Sequence, residues 1–219
     1  MRIVLSLLFL LLLSSIRTRA QNSGTARGDS VLEKAKQLVN DGFRDSANIF
    51  FKRAKELFEQ ESDIPGIIRA NNGYARSEYG LGRTNYALKL AETNLKLIDS
   101  SQGDPLEKGT CYEIMGNIFK SIGNLERGLK SFIAAEKIFA DAGERGKQAG
   151  ALEDIGWVEG LLGNYPRSIE YLKQALSIHI ELNDKPLLAK SYYSIGSIYG
   201  AMDKIDTAAY YFTKSLTIA

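Results

Sequence analysis

The chain has 219 residues, with 28 basic and 26 acidic side chains, one histidine and one cysteine. So balanced a charge excludes the broad positive field that nonspecific nucleic-acid binding needs. A lone cysteine excludes an internal disulfide, and one histidine beside one cysteine falls short of the usual zinc ligand sets.

The N-terminus reads as an export signal. Met1 and Arg2 precede an apolar run over residues 3 to 13, broken only by Ser6, and Thr18-Arg19-Ala20 then offers a small-residue cleavage site before Gln21. Arg17 and Arg19 interrupt the run short of the ~20 apolar residues a spanning helix needs, although an uncleaved anchor is the alternative reading. Cleavage after residue 20 removes three basic residues and no acidic ones, leaving 25 against 26. Residues 1–20 are thus expected to be a signal peptide, residues 21–29 a disordered polar linker, and residues 30–219 one repeat domain. The working place is expected to be periplasmic or secreted, with no membrane span after cleavage.

Beyond residue 30 one skeleton recurs five times. Turn positions fall at Gly42, Gly82, Gly123, Gly163 and Asp203, at intervals of 40, 41, 40 and 40. Such a period signals stacked helical units. Each unit is predicted to contain a helix A, a short turn, a helix B and a longer connection. Helix A carries Met115-Gly116 in the third unit, Ile155-Gly156 in the fourth and Ile195-Gly196 in the fifth. A helical glycine costs about 1 kcal/mol relative to alanine, so its repetition calls for close helix contact. Helix B answers with small residues at Ala47, Ala87, Gly128, Ser168 and Ala208, and with bulkier ones four positions on at Phe51, Phe132, Leu172 and Phe212. Asp63, Asp104, Glu144 and Asp184 stand ahead of each later helix A as candidate N-caps. All four prolines, Pro65, Pro105, Pro166 and Pro186, fall at helix starts.

These features resemble the tetratricopeptide repeat family, whose helix A carries a Leu-Gly pair and whose helix B carries Ala, Phe and Ala at fixed offsets. Met115-Gly116, Gly123, Phe132 and Ala135 match it well, as do Ile155-Gly156, Gly163 and Ala175; Lys34-Ala35 in the first unit departs from it. The resemblance implies an all-α, right-handed α-solenoid of about five helix-turn-helix repeats, about ten antiparallel helices, with bounds near 30–62, 63–103, 104–143, 144–183 and 184–219. The period exceeds the family's usual 34. The extra length is expected between units, at residues 100–108 and 141–147, as in the long-repeat variant of exported bacterial proteins.

In that family helix A lines the inner groove. The register places Arg69, Asn72, Arg76 and Tyr79 there from the second unit, Glu113, Asn117 and Lys120 from the third, Glu153 and Trp157 from the fourth, and Tyr193 and Ser197 from the fifth. Asn117 suits the backbone of an extended peptide, the arginines suit a carboxylate, and Trp157 suits an aromatic anchor. Acidic residues at Glu113, Glu153 and Asp154 depart from the family's carboxylate clamp for chaperone tails. No phosphate loop or nucleophile elbow occurs, His179 and Cys111 read as packed side chains, and Glu153 and Asp154 read as solvated charge.

The expected function is a non-catalytic protein–protein interaction scaffold, not an enzyme, holding a protein or peptide in its groove without cofactor, metal or nucleic acid. The alternative is the extracytoplasmic sensor region of a longer membrane signalling protein, a histidine kinase or transcriptional regulator continuing beyond residue 219. End-to-end self-association through the apolar last helix is a further expectation.

Overall fold

The computed structural model describes residues 26–218, and the leader and its cleavage site lie outside them. Among the described residues there are ten helices and no strand: α1 (26–40), α2 (Arg44–Gln60), α3 (Ile64–Gly80), α4 (Thr84–Ser101), α5 (Pro105–Ser121), α6 (Leu125–Asp141), α7 (Arg145–Leu161), α8 (Tyr165–Leu182), α9 (Lys185–Ala201) and α10 (Ile205–Ile218). The chain forms two compact units, divided after Asp104. In the first, α2 packs on α3 and α3 on α4, while Leu32 and Ala35 of α1 join Ala47 and Phe51 in the core. In the second, every helix from α5 to α10 packs on the next. No helix among the described residues is long and apolar enough to cross a membrane.

Two turns per repeat share one chemistry. Gly42, Gly82, Gly123, Gly163 and Asp203 all have positive φ, from 58° to 86°, at the A-to-B corners. Ser62, Gln102, Gly143 and Asn183 do the same at the B-to-A corners. At each corner the next helix's leading amide reaches back five residues to a carbonyl, as in Asp63 N–H to Phe58 (2.9 Å), Asn124 to Phe119 (2.9 Å) and Asn164 to Glu159 (2.8 Å). This left-handed cap satisfies orphan carbonyls and reverses the chain in three residues.

The connections between repeats are therefore as short as those within them, contrary to the expectation from sequence. Two helices of about 17 residues and two three-residue corners fill the 40-residue period. The extra length beyond the familiar period sits in the helices, where each added turn keeps its own backbone bonds.

The glycine rule holds in the second unit. A Cβ on Gly116 would lie 2.7 Å from the Phe132 ring, on Gly156 2.7 Å from Leu172, and on Gly196 2.9 Å from Phe212. Gly128 of α6 rests on the α5 backbone, and Ser168 donates a 2.7 Å hydrogen bond to the Gly156 carbonyl. Helix B enters the space left by helix A.

Caps follow the boundary chemistry in part. Asp63 accepts from the Gly66 amide at 3.0 Å and Asp184 from the Leu187 amide at 3.1 Å, whereas Glu144 occupies the cap position without a side-chain cap bond. The shorter side chain reaches its own N3 amide. Pro65, Pro166 and Pro186 occupy the first helical positions, and Pro105 opens α5.

Of the expected linker, residues 21–25 lie outside the described residues. Residues 26–29 are already helical, because Gly28 lies under the Phe58 ring and Asp29 takes a 2.9 Å ion pair from Arg69.

Candidate functional site

In the first unit the A helices are α1 and α3. Between them lies a recess of about 320 Å³ with the buried Phe51 ring as its floor, Val39 and Gly73 on its walls, and Lys36 and Arg76 at its rim. A side chain at Gly73 would overlap the Phe51 ring, so the glycine is what opens the recess. Lys36 makes an exposed pair with Glu33, and Arg76 is exposed. Such a surface pair contributes little and yields readily to a competing carboxylate.

The other groove candidates of this unit lie differently. Arg69 is half-buried, its guanidinium 5.6 Å from the Phe58 ring centroid and paired with Asp29, so it pins α1 to α3. Tyr79 is half-buried. Asn72 is only 3% exposed, a correction to its placement on the groove face. Its Oδ1 accepts from Asn94 Nδ2 at 2.8 Å, and that same nitrogen donates to the Ile68 carbonyl at 3.1 Å. Asn72 thus bonds α3 to α4 inside the unit.

In the second unit α5, α7 and α9 carry the repeat-related positions Asn117, Trp157 and Ser197. Asn117 donates to the Glu113 carbonyl (3.1 Å) and Ser197 to the Tyr193 carbonyl (2.9 Å), each one turn back on its own helix. Trp157, between them in repeat order, is half-buried. Glu113 is half-buried, while Tyr193 is exposed with its ring 5.5 Å from Phe212.

Lys120 of α5 and Asp154 of α7 form a 2.6 Å ion pair, both about three-quarters buried. Burial raises the Asp154 pKa, Lys120 opposes that, and Glu113 adds to it. Asp154 is therefore an anchored charge and not a solvated one.

Glu153 departs furthest from expectation. It is 2% exposed, covered by α9: Ser191 Oγ donates to its Oε1 at 2.8 Å, and Lys190 Nζ lies 2.7 Å from Oε2. His179 of α8, 1% exposed, has Nδ1 2.8 Å from Ser191 Oγ. Because the serine's one proton goes to the carboxylate, Nδ1 carries the proton of the neutral imidazole. Burial lowers the His179 pKa, Glu153 opposes this, Lys190 adds to it and Asp184 opposes it. Histidine, serine and glutamate here do not form a nucleophile arrangement: the hydroxyl donates away from the imidazole and is sealed from solvent. The network ties α7, α8 and α9 together.

Two further carboxylates outside the groove candidates are buried. Glu78 (3% exposed) receives Asn48 Nδ2 at 2.6 Å and Arg83 at 3.2 Å, and Glu159 (0%) receives Asn164 Nδ2 at 2.7 Å and Arg167 at 3.2 Å. Their 81-residue separation, two periods, was a usable signal. The intervening repeat has Phe119 instead, with Arg127 stacked 3.9 Å from the ring centroid. Among the described residues no three His, Cys, Asp or Glu side chains converge as a metal site. Cys111 is buried.

With this geometry in view, a tetratricopeptide repeat model matches residues 148–219. No curated protein matches the sequence significantly. Among solved structures, the chain is similar to aspartyl phosphate phosphatase F from Bacillus subtilis, at TM-score 0.75 and 20% identity over 95% of this chain and 54% of that one. It is also similar to the nearly identical TPR-like repeats from Podosopora anserina, at 0.70 and 15% over 89% and 95%. BtubC from P. vanneervenii gives 0.69 and 16% over 91% of each chain. Likeness at these identities is one of fold, and it spans both units. The chain carries tetratricopeptide repeats over residues 148–219 and the helical-repeat fold of tetratricopeptide repeat proteins throughout its described residues.

Proposed function

We propose that the protein is a non-catalytic interaction scaffold that holds an extended segment of a partner protein against its A helices. The observation that carries this reading is the recess between α1 and α3: an aromatic floor under a glycine, flanked by Lys36 and Arg76. It suits an apolar side chain beside a carboxylate, which arginine meets with forked hydrogen bonds. In the second unit Asn117, Trp157, Tyr193 and Ser197, with Glu113 and Lys120 beside them, offer amide, aromatic and hydroxyl groups at one-repeat spacing. Asn117 and Ser197 exchange their intrahelical bonds for partner backbone bonds. Asn72 and Glu153 support the helices from inside, and Arg69 and Tyr79 border the contact. A similar fold occurs in a Rap protein whose structure is complexed with competence and sporulation factor, 20% identical with TM-score 0.71 over 86% of this chain and 53% of that one. That likeness supports a binding role without specifying a ligand.

Binding of a peptide library to the wild type and to an Arg76→Ala/Asn117→Ala/Trp157→Ala variant tests the assignment. Loss of the selected peptides in the variant is expected, and equal binding by both proteins rejects it. The leader supports action outside the cytosol. N-terminal sequencing of protein recovered from the exported fraction is expected to begin at Gln21, and an intact Met1 would contradict cleavage.

A further inference from the structure

In the first unit, residues of α2, α3 and α4 line a slot of about 510 Å³. That volume lies within the ~300–1,000 Å³ of ligand pockets. Ile64, Ile67, Leu90 and Leu97 give it an apolar base. Asn71, whose Nδ2 donates to Asn94 Oδ1 at 3.1 Å, and Tyr86 also line it, and the Tyr86 ring meets Tyr74 of the adjoining recess edge to face (centroids 5.9 Å).

The second unit shows what such a slot accepts. Leu90 stands two periods before Tyr171, and Asn71, Tyr74 and Leu97 stand two periods before Leu152, Ile155 and Ile178. There Tyr171 packs against two core clusters, one holding Leu152 and Ile178 and the other Ile155. The first unit places a smaller leucine at the ring's position and leaves the space open.

Charge at the rim selects the flanks of an occupant. The rim acids are already engaged, Glu56 with Arg53 at 2.9 Å and Glu59 with Lys55 at 3.0 Å. Lys52 of α2, 5.3 Å from the Tyr74 ring centroid, and Lys89 of α4 have no carboxylate partner among the described residues. Lys89 lines the slot itself, and Lys52 lines the adjoining recess that shares Asn71, Tyr86 and Leu90 with it.

We infer that this slot docks one aromatic side chain of a partner protein, borne on an acidic segment whose carboxylates meet Lys52 and Lys89. Its ring takes the place that Tyr171 fills in the second unit, offset against Tyr74 and Tyr86. The site is separate from the α1–α3 recess and does not depend on it.

The test titrates the purified, isotope-labelled protein with an acetylated, amidated pentapeptide carrying phenylalanine between pairs of acidic residues, followed by amide chemical shifts. Saturable shifts are expected in α2, α3 and α4 around Leu90, with a peptide carrying alanine for phenylalanine binding at least tenfold more weakly. Leu90→Tyr, which fills the slot from within, is expected to weaken binding at least tenfold while the thermal melt is retained. Should that variant fail to fold, the exposed pair Lys52→Glu/Lys89→Glu decides, with preference expected to pass to a peptide with basic flanks. No saturable shift up to ~1 mM, the affinity floor of a single anchor, overturns the inference. So does equal binding of the alanine peptide, undiminished binding by Leu90→Tyr, or an unchanged preference in the lysine variant. Shifts confined to Val39, Gly73 and Arg76 would support the recess and count against the slot.

Discussion

Single residues set the corners of this chain. Ser62, Gln102 and Asp203 hold φ near +51° to +58° without being glycine. Left-handed backbone costs an L-residue roughly 1–2 kcal/mol, partly offset by glycine's larger chain entropy. Gln102→Gly and Ser62→Gly, both at exposed positions, are expected to stabilise by about 0.5–1 kcal/mol in urea melts. Asn183→Gly should gain less, because asparagine tolerates this region. The opposite sign is expected on helix A. Gly156→Leu drives a side chain into Leu172 and the Ser168 carbonyl, which lies 3.2 Å from the Cβ position. Backbone cannot retreat as a flexible side chain can, so the loss should reach about 1–3 kcal/mol, read from the same melts. A midpoint unmoved by this change would contradict the helix A to helix B contact.

Elements are joined by buried polar groups as well as by apolar packing. His179 is the bond between α8 and α9 whose charge is set by its surroundings: burial depresses its pKa below the ordinary 6.5, against the pull of Glu153. Above pH ~6.5 the imidazole is neutral in folded and unfolded chains alike. As pH falls below that value the unfolded chain takes up a proton first, so stability is lost through the window from 6.5 down to the lower folded pKa. The slope cannot exceed about 1.4 kcal/mol per pH unit for one proton. Urea melts of the wild type and His179→Gln from pH 7.5 to 5 are expected to differ in slope, the variant losing this part of the acid sensitivity. Identical slopes would mean that His179 is protonated with equal ease in both states. Glu78 and Glu159 join elements in another way: each is buried near the end of an A helix, Glu78 held by Asn48 of α2 and Arg83 ahead of α4, Glu159 by Asn164 and Arg167 at the start of α8.

At the scale of the molecule the division after Asp104 separates two sets of core contacts. Phe132, Phe139, Leu172 and Ile195 pack in clusters whose members all lie beyond residue 104. A fragment of residues 105–219 is therefore expected to fold alone, with a cooperative thermal melt and the helicity of six paired helices, since stacked repeats draw stability from their neighbours. A fragment that shows no cooperative transition by circular dichroism would place essential core contacts outside it.

Much of this architecture is legible from residue order, and the legible part is local. Glycine at 42, 82, 123 and 163 marks corners because only the backbone's own sterics are involved, and prolines mark helix starts for the same reason. Glycines on helix A and bulky residues on helix B announce their contact because a constant period carries both partners in one phase. Asp203 was readable as a corner from that phase alone. The lengths of the connections are not legible, because polar, glycine-containing stretches such as 141–147 look like loops yet contain the start of α7.

Burial of Asn72 and Glu153 was beyond the sequence. Register alone put Asn72, Glu153, Trp157 and Tyr193 on one face, but whether a residue there meets solvent depends on what another helix lays across it. Glu153 disappears beneath Lys190 and Ser191, and Asn72 turns inward to Asn94. The slot at Leu90 is an absence, visible only once the walls stand in place and Tyr171 shows how the other unit fills it. Local backbone preference and period determined the helices, corners and pairing of this protein. Tertiary structure decided which charges are sealed and where space is left, because desolvation and cavity shape belong to the neighbours of a residue and not to the residue itself.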